Sequence, residues 1–224
     1  MEAVKPSFRL YVSGATATLR RLAPTCADVL GYLVVPGAGN DPKTVAGLGL
    51  KIAADNGAFS GLDAKSFTLM MLEYWQAGVG LDWVVVPDVV ADAKATFKLF
   101  GQWESVVKGF RFPRALVLQD GLEFDDWLCY RKSIQCVFIG GSTEFKLSEK
   151  VLKLVRDARS LNLPVHMGRV NSRKRIRYAI DIGCTSCDGS GFSKWPDTRI
   201  PMAVRWIREK LAELEQQTLF SGKV

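Results

Sequence analysis

Three aspartates, Asp55, Asp88 and Asp188, each stand at the point where a short apolar run breaks off. The same kind of position is held by Ser13, by Asn56 beside Asp55, by Gln119-Asp120, by Gly140-Gly141-Ser142, by Arg169 and by Gly189-Ser190. Two carboxylates that face one pocket suffice to break a glycosidic bond, one attacking or stabilising the sugar carbon while the other manages the leaving group's proton. An apolar wall or a like charge raises the pKa of one of the two, and so gives the pair different roles. Other chemistries fit less well. The only histidine, His166, lies between Val165 and Met167, where a buried, hydrogen-bonded core residue is expected, and no Ser or Cys has an obvious base beside it. No Gly-rich loop with a Lys offers a phosphate cradle. Asp92 and Asp120 read as helix caps. Gly140-Gly141 reads as a tight turn or as backbone opened to a flat ligand.

These residues need a scaffold that brings strand ends together. The apolar runs are Phe8–Ser13, Val29–Pro36, Ile52–Asp55, Trp83–Asp88, Ala115–Gln119, Val137–Gly140, Val165–Gly168 and Thr185–Asp188. They are continuous, not alternating, as parallel strands covered by helices are. Segments of helical period lie between them: Ala64–Gly78, Ala91–Gly109, a helix capped by Ser148 with Val151, Leu152, Val155, Ala158 and Leu161 as its stripe, and Met202–Gln217 with Pro201 in its first turn. An early helix near Ala15–Ala23 is the faintest of them. Eight β-then-α units with no linker or repeat predict a single-domain (β/α)8 barrel over residues 1–224, with its chemistry at the C-terminal ends of the strands. The alternative is a doubly wound open sheet, but no Gly-x-Gly-x-x-Gly follows any strand.

Composition narrows the class. The 224 residues are 48% hydrophobic and 24% charged, close to the globular average, which excludes disordered, collagenous and coiled-coil chains. No apolar run approaches a membrane span, and the Met1–Pro6 segment lacks the basic-then-apolar pattern of a secretory signal, so a cytoplasmic location is expected. Five cysteines, an odd number, suit free thiols. Cys184 and Cys187 have no second Cys pair to complete a zinc site, so no metal is expected. If Asp188 points into the barrel mouth, alternation turns Ser186 and Cys184 inward and Cys187 and Thr185 toward the helices.

A net charge of +7 suits a polyanionic partner. Arg169, Arg173, Lys174, Arg175 and Arg177 form a basic segment after the seventh strand, with Lys194, Trp195 and Arg199 further on. The segment reads either as a solvated helix face, with Arg173 and Arg177 on one stripe, or as a clamp on phosphates.

The ordered motifs resemble those of the tRNA-guanine transglycosylases. Ala53-Ala54-Asp55-Asn56-Gly57-Ala58-Phe59-Ser60 is similar to their Asp-Ser-Gly-Gly-Phe-Gln signature, Val117-Leu118-Gln119-Asp120-Gly121 to their Val-Gln-Gly-Gly, and Ile139-Gly140-Gly141-Ser142 to their Gly-Gly-Leu turn. The resemblance spans Ile52 to Gly191 and keeps the order of all its motifs. It implies Asp188 as nucleophile, with Asp55 as the second catalytic carboxylate. It also implies Asp88, Gln119, Asn56 and the Gly140-Gly141 backbone as the purine-binding set, and no metal or organic cofactor. The zinc subdomain of tRNA-specific members is missing, and the short chain looks most like the 7-deazaguanine DNA transglycosylases of phages and bacterial modification clusters. The implied partners are double-stranded DNA, or tRNA, and a free 7-deazapurine such as preQ0. Exchange, hydrolysis by the same two carboxylates, and a catalytically silent nucleobase-binding barrel all remain open at this level. A general sugar-metabolism barrel is disfavoured by the lack of a phosphate loop near strands seven and eight.

Overall fold

The computed structural model describes residues 6–39 and 41–221. The Met1–Lys5 stretch, on which most of the leader expectation rests, lies outside the described residues. The elements alternate along the chain. They are β1 (Arg9–Val12), α1 (Thr16–Cys26), β2 (Leu30–Val34), α2 (Pro42–Ala46), β3 (Lys51–Ala54), α3 (Ala64–Gln76), β4 (Val84–Val85), α4 (Ala93–Gly109) and β5 (Arg114–Leu118). The second half continues with α5 (Phe124–Tyr130), β6 (Cys136–Ile139), α6 (Thr143–Lys146), α7 (Glu149–Ser160), β7 (Val165–Met167), α8 (Arg173–Asp181), β8 (Ser186–Asp188), α9 (Ser190–Lys194) and α10 (Pro196–Ser221). The strands pair in sequence order, all parallel, and β8 closes on β1 through Arg9 opposite Ser186 and Tyr11 opposite Asp188. The fold is the (β/α)8 barrel that the apolar runs predict.

Each of the eight predicted runs overlaps its strand, with β3, β5 and β6 starting one residue before the run, at Lys51, Arg114 and Cys136. The fourth is the most shortened: Val86 still donates its N–H to Ala115, but Pro87 has none to give, so the ladder stops and Asp88 turns into the mouth. Two helix ends are set by caps that the composition marks. Asp92 accepts from Ala95 N at 2.9 Å, and Ser148 from Val151 N at 3.3 Å. Asp120, read as a cap for its own helix, instead accepts from the N–H and hydroxyl of Ser142, at 2.7 and 2.5 Å, and so ties two neighbouring strand ends. The last helix begins at Pro196, which takes the first-turn position assigned to Pro201 and leaves Pro201 inside the helix. The short helices α2, α5, α6 and α9 lack enough turns to show a period.

Two apolar layers result. The larger lies between strands and helices, with Leu10, Leu30, Leu116, Val137 and Met71 fully buried. Cys184 and Cys187 both pack there, so the expectation of an inward Cys184 is corrected: it precedes β8 and escapes the strand's alternation. The smaller layer fills the barrel itself with Tyr11, Leu33, Ala53, Trp83, Val85, Ala115, Val117 and Cys136. No helix among the described residues is long and apolar enough to cross a membrane.

Candidate active site

Asp55, Asp88 and Asp188 all open onto one cavity of about 340 Å³ at the C-terminal mouth of the barrel. Asn56, Gln119, Gly140, Gly141, Lys146, Gly168, Arg169 and Phe59 line it with them.

Asp55 follows β3, where its N–H still bonds Val34 O at 2.8 Å and fixes the side chain at the rim. Its Oδ1 accepts from Asn56 N at 2.7 Å and Gly57 N at 3.4 Å, a bend that Gly57 permits with φ of 76°. Burial, and next the charge of Asp188, push its carboxyl up to about 6. Near neutrality such a group both gives and takes a proton readily.

Asp88 is almost fully buried, and two side-chain amides hold it. Asn56 Nδ2 donates to its Oδ1 and Gln119 Nε2 to its Oδ2, each at 2.7 Å. Burial raises its pKa, and those two bonds oppose the rise. The amides are otherwise occupied. Asn56 also donates to Val86 O and accepts from Ala58 N, while Gln119 accepts from Ala91 N and donates to Val89 O and Thr96. Asn56 and Gln119 are therefore holders of Asp88, and Asp88 keeps further lone pairs on the wall of the cavity.

The double glycine is required by space. A Cβ on Gly140 would stand 2.7 Å from Val117 Cγ1, and Gly141 adopts φ of 73° against Asp120 and Phe145. Gly140 spends its N–H on Leu118 O, so of the two it is Gly141 whose N–H has no partner among the described residues.

Asp188 ends β8, and its Oδ1 is 3.0 Å from His166 Nε2 and 3.3 Å from Arg169 N. His166 lies opposite Ser186 in the β7–β8 register, and its Nδ1 is 2.9 Å from Ser186 Oγ. An ionised carboxylate only accepts, so Nε2 is the donor in its bond to Asp188. The ring is fully buried among Trp83 and Phe138, both 4.7 Å away between centroids, and Tyr11. Burial and hydrogen bonding of His166 match the sequence reading, which named no partner for it. The histidine assigned to the core orients the Asp188 carboxylate from below, and only the inward alternation of β7 signals it.

Lys146 is a lining residue to which the sequence reading gives no place in the pocket. It ends α6, is 6% exposed, and its Nζ donates to Gly168 O at 2.8 Å. Burial lowers its pKa to about 8, opposed by the charge of Asp188 and reinforced by Arg169 and Arg175.

The basic segment divides. Arg173 pairs with Glu209 at 3.0 Å and Arg177 with Glu213 at 2.7 Å, both across to α10. The shared stripe of these two is real, and it pairs α8 with the acids of α10. Arg175 reaches Thr143 at 2.9 Å beside the mouth, Arg169 lies 4.2 Å over the exposed Phe59 ring, and Lys174 and Lys194 are exposed. Arg169 holds φ of 60°, a left-handed bend that presents its N–H to Asp188.

No family model and no curated protein matches the chain. Among solved structures, tryptophan synthase from M. tuberculosis is similar at TM-score 0.60, 13% identity and 93% coverage of each chain. KGPDC from Streptococcus mutans is similar at TM-score 0.56 and 14% identity, over 92% of this chain and 98% of its own. A mutant mandelate oxidase holding an FMN adduct reaches TM-score 0.60 at 14% identity, over 93% of this chain and 73% of its own. At these identities the likeness is one of fold: the chain shares the eight-stranded α/β barrel of these proteins.

Proposed function

We propose that the protein is a glycosyltransferase of the guanine-transglycosylase kind, exchanging guanine in DNA for a 7-deazaguanine through a covalent aspartyl–sugar intermediate. One observation carries this reading: two carboxylates from non-adjacent strands of the barrel face one cavity, and the charge of Asp188 helps raise Asp55 to about 6. A nucleophile and a proton shuttle need that division of labour.

The guanine is flipped out of the stack into the cavity. Asp188, its Oδ1 held by His166 and Arg169 N, attacks C1′ of the sugar with its other oxygen. The C1′–N9 bond breaks as Asp55 hands its proton to the departing base. The incoming 7-deazapurine loses its ring N–H proton to Asp55, attacks C1′ and displaces Asp188. Asp88, fixed by Asn56 and Gln119, accepts N–H groups of the base edge. The resemblance to short members without a zinc subdomain favours DNA over tRNA as the polymer, and the exposed Arg169, Lys174 and Lys194, with the half-buried Arg175, supply charge for its phosphates. The cytoplasm, where DNA and its precursors meet in a bacterium, is the compartment this activity requires.

Nucleoside mass spectrometry of DNA and tRNA from cells that express the protein and are supplied with preQ0 tests the reading. A 7-deazaguanine nucleoside in DNA is expected; its absence from both polymers would contradict it.

A further inference from the structure

Lys146 is a buried amine on the wall of the cavity for which base exchange has no use. Its one hydrogen-bond partner is Gly168 O, and no carboxylate lies within ion-pair distance of it among the described residues. A buried ammonium without a counterion is costly, which favours the neutral, nucleophilic form. Gly168 also adjoins Asp188: a side-chain carbon built on it would stand 3.5 Å from Asp188 Oδ1. The amine and the carboxylate thus flank the same glycine, on the same side of the cavity. An amine desolvated in a pocket beside other cations is the arrangement that forms Schiff bases with carbonyl compounds.

We propose that Lys146 condenses with the C1′ aldehyde of a base-free deoxyribose held in this cavity. The choice of that aldehyde rests on the base-exchange reading, because water reaching the aspartyl–sugar ester in place of a base leaves such a sugar. The neutral Nζ adds to the aldehyde carbon, whose oxygen takes up a proton. One Nζ proton ends on that oxygen, and the hydroxyl then leaves with the second Nζ proton as water, giving the imine. No other reactant enters, and water reverses the step. The amine holds an emptied sugar until water cleaves the imine and the strand is released.

Asp188 from β8 and Asp120 from the β5 end favour the charged form of Lys146, while Arg169 and Arg175 oppose it. The condensation therefore speeds as pH rises through about 8, where the amine loses its proton.

The experiment mixes the full chain with a duplex oligonucleotide carrying one abasic site and with sodium borohydride, which transfers hydride to an imine carbon and makes the link permanent. A one-to-one protein–DNA adduct is expected, mapping by peptide mass spectrometry to the peptide that contains Lys146. Lys146→Arg keeps a cation and a donor for Gly168 O but forms no stable imine, so the adduct is expected to vanish in it. No adduct with the wild-type chain, or an adduct that maps elsewhere and persists in Lys146→Arg, overturns the proposal. Guanine exchange measured on the same wild-type preparation separates the two readings. Exchange without trapping removes Lys146 alone, whereas trapping without exchange removes the base-exchange reading and leaves the amine.

Discussion

His166 Nε2 and Asp188 Oδ1 are 3.0 Å apart, joining the sole histidine of the chain to the carboxylate that ends β8. The ring does not face the cavity; it lies beneath, walled by Trp83, Phe138 and Tyr11. It fixes one oxygen of Asp188, and the other has no hydrogen-bond partner among the described residues.

Removing that support should misplace the carboxylate proposed as nucleophile without emptying the pocket. For His166→Gln, which retains a polar group of similar reach, the exchange kcat is expected to fall about 10²-fold, the cost of a misplacement near 1 Å, with little change in KM for the base. Steady-state kinetics with varied 7-deazapurine checks the split. A loss confined to KM would mean that His166 serves base binding instead.

The carboxyl of Asp55 makes stability depend on pH. Its folded pKa of about 6 exceeds the ordinary 3.8, so between those values the native state binds more protons than the unfolded chain. Stability from this group is therefore greatest below 3.8 and is lost as pH rises to about 6, by up to about 3 kcal/mol at 1.36 kcal/mol per pH unit. Asp55→Asn should remove that part of the slope, so that the variant gains stability relative to wild type at pH 7.5 but not at pH 4. Urea denaturation at the two pH values measures the difference.

Gly168→Ala would set a methyl group 2.7 Å from the Phe138 ring, which packs on His166. A stability loss of about 1–3 kcal/mol is expected from the overpacking, together with reduced exchange, because the ring that moves supports the histidine. Thermal unfolding and a kinetic assay read the two effects.

Because Arg173 and Arg177 pair with Glu209 and Glu213, their joint replacement by Ala should leave the salt dependence of DNA binding nearly unchanged. Replacing the exposed Lys174 and Lys194 should instead flatten the plot of log K against log salt by about one to two units, at about 0.9 per phosphate contact. Fluorescence anisotropy over a salt series distinguishes the pairs.

Much of this site is legible in the sequence because parallel strands are continuous apolar runs and the first polar residue after each run lands on the mouth. Asp55, Asp88, Gln119, Gly140 and Asp188 are found that way, and the cavity gathers all of them. What pairs across space is not legible. His166 and Asp188 are 22 residues apart and meet only through the β7–β8 register, which no local pattern encodes. Lys146 ends a four-residue helix, too short for a period, and its burial depends on Gly168 of another strand end. Arg173 and Arg177 show their common face as an i, i+4 pair, yet the acids that claim it stand 36 residues on, in α10.

Asp188 as the nucleophile of a guanine exchange is the step on which the proposed mechanism stands, and it can be probed by release of labelled guanine. Duplex DNA bearing radiolabelled guanine is incubated with the protein and excess unlabelled preQ0, and free guanine is counted alongside alkali-labile breaks. The wild-type chain should release guanine without accumulating breaks, and Asp188→Asn should release none. Release by Asp188→Asn at the wild-type rate, or no release by the wild-type chain, would contradict the claim.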